Sequence, residues 1–136
     1  MSYGSAAALQ EAVFAALTGD AEVAALSGGA IHDALPPGPV PPLYVALGPE
    51  RVRDASDGTG AGAVHLFPVT VVSEGAGFGS AKALAAAISD ALDGAALSLA
   101  RGRLVSLAFQ RARARRVDGG REIELWFRAR VDQDAA

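Results

Sequence analysis

The final third of the chain decides the fold: Arg103-Leu104-Val105-Ser106-Leu107-Ala108-Phe109-Gln110-Arg111-Ala112-Arg113-Ala114-Arg115-Arg116-Val117, then Asp118-Gly119-Gly120, then Arg121-Glu122-Ile123-Glu124-Leu125-Trp126-Phe127-Arg128-Ala129-Arg130-Val131. Two long segments of strand character flank an Asp-Gly turn, the pattern of a β-hairpin. In the second segment Ile123, Leu125, Phe127, Ala129 and Val131 share one face, and Glu122, Glu124, Trp126, Arg128 and Arg130 share the other. One face is core and the other is open to a partner. In the first segment the parity that holds Val105, Leu107 and Phe109 continues as Arg111, Arg113 and Arg115. Uninterrupted alternation therefore turns a buried row into a charged one, and predicts a hairpin that projects beyond its own core.

Working back from the hairpin, Leu84, Ile88 and Leu92 repeat every four residues in a helix with Ser80 as its N-cap and Asp93-Gly94 as its end. Val64 to Ser73 is strand-like, with Pro68 implying a bulge or an edge position. Leu43–Leu47 is a compact strand, bent at Gly48-Pro49, and Arg51–Arg53 resumes extended structure. Asp54 to Gly62 is small, polar and glycine-rich, a loop expected to be mobile in a free subunit and ordered on assembly. Leu9, Val13, Phe14 and Leu17 form the apolar stripe of a first helix, and Asp20 caps a short second helix stopped by Ser27-Gly28-Gly29. Between Ile31 and Val45 lie five of the seven prolines, in a stiff connector that can be neither helix nor central strand.

This order predicts an α+β domain spanning residues 1–136, with helices on one face of a largely antiparallel or mixed sheet and a long C-terminal hairpin. A chain of 136 residues buries a real core without disulfides, and with no cysteine it has no thiolate chemistry. No stretch is long and apolar enough to span a membrane, and Met1–Ser5 lacks the basic start of an export signal, so a soluble protein is expected.

Candidate chemistry is thin. His32-Asp33 and His65 are too few for a recognisable metal or acid–base site. Gly75-Ala76-Gly77-Phe78-Gly79-Ser80 matches neither dinucleotide nor P-loop spacing, and Gly-x-Ser-x-Gly is absent. Neither an enzyme nor a cofactor is expected. Charge carries more information. Residues 1–100 hold three cations against ten acids, for −7, while residues 101–136 hold nine arginines against five acids, for +4. Alternating guanidinium groups at Arg111, Arg113, Arg115 and Arg116 suit carboxylates or phosphates, and Trp126 with Arg128 and Arg130 suits a protein contact. Asp54 and Asp57 in the loop complete the candidate interface residues. A solvated face is the plain alternative, and one tryptophan makes a poor stacking platform for nucleic acid.

The element order, together with Ile31-His32-Asp33-Ala34-Leu35-Pro36-Pro37 and Pro42-Leu43-Tyr44-Val45, resembles the small tail-completion, or tail terminator, proteins of tailed phages, prophages and gene transfer agents. The resemblance covers nearly the whole chain. It implies a ring, usually hexameric, that caps the head-proximal end of the tail tube, stops its growth and presents a surface to the head–tail connector or stopper. It further implies assembly in the bacterial cytoplasm, a place at the head–tail junction of the particle, and DNA passing through the ring without specific binding. Another connector or minor tail protein is the alternative role, and a small nucleic-acid-binding module the alternative class.

Overall fold

The computed structural model describes residues 3–33, 41–56, 61–75 and 78–133. Three helices, α1 (Ala6–Gly19), α2 (Ala21–Ser27) and α3 (Gly79–Leu92), accompany six strands: β1 (Ile31–His32), β2 (Leu43–Leu47), β3 (Arg51–Asp54), β4 (Gly62–Ser73), β5 (Arg103–Val117) and β6 (Gly120–Asp132). The strands form one mixed sheet in the order β1-β2-β4-β6-β5, with β3 also on β4. The α+β expectation holds. Among the described residues its one parallel pair is β1 with β2, so the strands before and after the proline connector run in the same direction. The connector's central residues, 34–40, lie outside the described residues.

Asp20 caps α2 as its sequence predicts, its Oδ1 accepting from the Glu22 and Val23 amides at 3.1 and 3.0 Å. Gly28 ends that helix at φ 64°, a conformation that glycine adopts without Cβ strain. At α3 the cap position is Phe78 and not Ser80, which lies inside the first turn. The stripe Leu84, Ile88 and Leu92 is fully buried, as are Leu17 and Val23, and Leu9 and Val13 are nearly so. These meet the sheet at Val45, Phe67, Val69, Val71, Ile123, Leu125 and Phe127. Phe127 is the hub: Phe67 stacks on it at 5.7 Å between centroids and Phe109 meets it edge-on at 5.9 Å.

Pro68 is neither at an edge nor in a bulge. It sits within β4, the central strand, in continuous register opposite Trp126 of β6. The reason lies on its other side, where β2 pairs with residues 69–73 and β3 with 63–66, leaving a break at Gly48–Glu50. The Pro68 carbonyl accepts from the Gly48 amide at 3.1 Å, so the donor that proline lacks would also have faced that break. No ladder bond to β6 is forfeited.

The loop expectation needs trimming at both ends. Asp54 pairs with Ala63, the Ala55 amide donates to the Gly62 carbonyl at 2.9 Å, and Gly62 pairs with Asp132. A strand stem therefore occupies what reads in sequence as open loop. Residues 57–60, Asp57 among them, lie outside the described residues.

Candidate interface on the open sheet face and edge

The helices cover one face of the sheet, so what faces outward is set by strand parity. Asp118 and Gly119 turn the β5–β6 hairpin with φ 46° and 82°, both positive, and Val117 pairs with Gly120. From there β6 is bonded on both sides, to β5 and, over Arg121–Asp132, to β4. The hairpin does not project as a free arm, because β4 runs alongside it to Ser73. What stands exposed is the edge strand β5, in which only Leu107 is buried.

The parity of β5 is also different from an unbroken alternation. Register shifts fall between Leu104 and Ser106 and between Phe109 and Arg111, so Val105 and Gln110 are extra residues in bulges. Each bulge moves the residues beyond it to the other face. Phe109 lies opposite Phe127 on the core side, whereas Arg111, Arg113 and Arg115 lie opposite Trp126, Glu124 and Glu122 on the open side. Ala112 and Ala114, small enough to be ignored in the sequence, take the core side beside α3, and Arg116 follows them opposite Arg121.

The three open-face arginines have different surroundings. Arg115 donates to Glu122 Oε1 through Nε at 3.1 Å and Nη2 at 2.9 Å, an exposed pair of small net worth. Arg111 lies over the Trp126 ring, 5.6 Å from its centroid. Arg113 faces Glu124, but Glu124 Oε1 accepts from the Trp126 indole at 2.7 Å, and among the described residues Arg113 has no ion pair. Arg130 Nε is 3.2 Å from Asp132 Oδ1, which also holds Arg103 through its other oxygen at 3.3 Å. Arg128 has no ion pair among the described residues, and sits between Leu66 and Ala108.

Two further arginines escaped the sequence reading of this surface. Arg51 and Arg53 of β3 pair with Leu66 and Val64, so they join Arg128 and Arg130 on the open face. Their i, i+2 spacing in an extended segment was the available signal. Asp54, also exposed, is turned inward on its own loop: Ser56 donates to its Oδ1 through Oγ at 2.7 Å, and this bond holds the carboxyl below its ordinary range. It lies on the strand stem, away from the arginine row of β5.

The imidazoles do not assemble with Asp33. His65, fully buried, has Nδ1 3.2 Å from Glu50 Oε2, and the Tyr3 hydroxyl donates to Glu50 Oε1 at 2.6 Å. That bond and the carboxylate charge raise the Tyr3 hydroxyl above its ordinary pKa. Asp33 instead accepts from Gln10 on α1. No group of three or more metal-ligating side chains occurs among the described residues. The arrangement can do electrostatic and aromatic recognition.

A sequence model of the tail completion protein gp17 family matches residues 11–132. The chain belongs to that family. No curated protein matches its sequence significantly. It is similar to a chain in a solved structure described as the virion of a native gene transfer agent particle, with 60% identity and a TM-score of 0.92 over 96% of this chain and 99% of that one.

Proposed function

We propose that this tail completion protein is a tail terminator: a ring-forming subunit that caps the head-proximal end of the tail tube and joins it to the head connector of a gene transfer agent or phage. The observation that carries the reading is the 60% identity, over nearly full length on both sides, to a chain in a gene transfer agent virion structure. The surface chemistry supports it. Residues 1–100, which include all three helices, carry −7, and the open sheet face carries a row of arginines, an asymmetry that suits heterologous contacts that close into a ring. Six copies, as the family resemblance implies, would enclose a channel for DNA. The subunit then acts by shape and charge without catalysis, forming in the bacterial cytoplasm and ending at the head–tail junction.

Electron microscopy of particles from a deletion strain tests this. Full heads and unjoined tubes of irregular or excessive length are expected. Tails of normal length attached to heads would contradict the terminator role and favour a minor tail protein.

A further inference from the structure

The outer edge of β5 divides at Gln110. On the N-terminal side the Phe109 amide donates to Asp93 Oδ1 at 2.9 Å and the Gly94 amide donates to the Leu107 carbonyl at 2.7 Å, so the turn after α3 occupies the edge. Those two bonds also show which backbone groups point away from β6. Alternation along an antiparallel ladder, carried past the bulge through the pairs Ala112–Leu125, Ala114–Ile123 and Arg116–Arg121, turns the N–H and C=O groups of Ala112, Ala114 and Arg116 outward. No other described segment bonds to them. The fold thus closes one half of this edge and leaves the half from Arg111 to Val117 open.

The open half has two chemically distinct flanks. On the helix side, Ala85, Ala86 and Ser89 of α3 and Phe109, Ala112 and Ala114 of β5 line a groove of about 290 Å³, with Lys82 at its rim. On the other side stand the guanidinium groups of Arg111, Arg113 and Arg115. A second copy of β5 is a poor occupant, since antiparallel self-pairing sets one arginine row beside another. The β3 edge carries Arg51 and Arg53 and fails for the same reason, and β1 is only two residues long.

We propose that the Arg111–Val117 edge accepts one extended strand from a different protein, with carboxylates at alternate positions facing the arginines and small apolar side chains entering the α3 groove. Main-chain bonds to Ala112, Ala114 and Arg116 would supply affinity, and the two flanks would set sequence preference. This rests on the edge geometry and not on ring formation.

The test uses the purified full chain and a short end-blocked peptide of alternating glutamate and valine, with an arginine–valine peptide as control. Binding is read by fluorescence anisotropy and amide exchange by NMR. The glutamate peptide should bind and slow exchange at Ala112, Ala114 and Arg116. An Ala114→Pro variant should lose at least about tenfold in affinity with an unchanged circular dichroism spectrum, because its proline removes an outward donor and no bond to β6. Should that variant fail to fold, an Arg111→Glu/Arg113→Glu variant should reverse the preference toward the arginine peptide. The proposal is overturned by absence of binding at physiological salt, by binding that leaves the three amides unprotected, or by a preference that charge reversal does not change.

Discussion

Arg111 lies over the Trp126 ring at 5.6 Å even though strict alternation from Phe109 would put it on the opposite face. The bulge absorbs Gln110 as an extra residue and so keeps Arg111 in phase with Trp126. Deleting Gln110 should close the bulge and keep Arg111 opposite Trp126, as Phe109 and Arg111 would then be neighbours on a regular ladder. Cross-strand NMR contacts between Arg113 and Glu124 should survive the deletion. Their replacement by contacts between Arg113 and Leu125 would mean that the bulge persists with Arg111 as its extra residue, so that Gln110 does not account for it.

The arginine row should act in assembly more than in folding. Reversal to glutamate would place like charges opposite Glu122 and Glu124, so an Arg111→Gln/Arg113→Gln/Arg115→Gln variant separates the two effects more cleanly. It should lose no more than about 1 kcal/mol of stability, the scale of exposed ion pairs, and yield far fewer joined particles in complementation. Normal numbers of joined particles from this variant would make the row a solvated face.

Phe127 stands between Phe67 and Phe109 with no exposed surface. Truncation in Phe127→Ala should cost about 3–5 kcal/mol by loss of transfer energy and creation of a cavity. Urea unfolding of the purified chain measures it, and a loss under about 1 kcal/mol would show that the sheet and helices close over the gap.

Tyr3 should titrate above 10.0, because ionising its hydroxyl breaks the bond to Glu50 and sets two negative charges together. The sign follows from the raised pKa: this contact's contribution is complete below 10.0 and is lost as pH rises through the folded value. Alkaline absorbance titration of wild type and Glu50→Gln, with Tyr44→Phe in both to isolate the signal, should place Tyr3 lower in the Glu50 variant.

Much of this fold was legible because its apolar residues keep one period per element. Ile123, Leu125, Phe127, Ala129 and Val131 alternate without a break, and Leu84, Ile88 and Leu92 repeat by four, so β6 and α3 could be read directly. In β5 the same rule failed. Gln110 has no side-chain feature that marks a bulge, and the flanking alanines fit either face. The place of Pro68 is not legible from its missing donor alone, because the break between β2 and β3 that accommodates it is a tertiary fact. The parallel pairing of Ile31 with Val45 was equally hidden, since two residues carry no periodicity. Of the candidate surface, the arginines and Trp126 were readable as residue types. Their shared face with Arg51 and Arg53 emerged only from the register of β3 on β4.

Location in the particle tests the central claim most directly. Purified particles carrying an epitope tag on this chain, decorated with gold-labelled antibody and imaged by electron microscopy, should show label at the junction between head and tail. Label along the tail tube, at its distal tip or on the head surface would contradict a tail terminator.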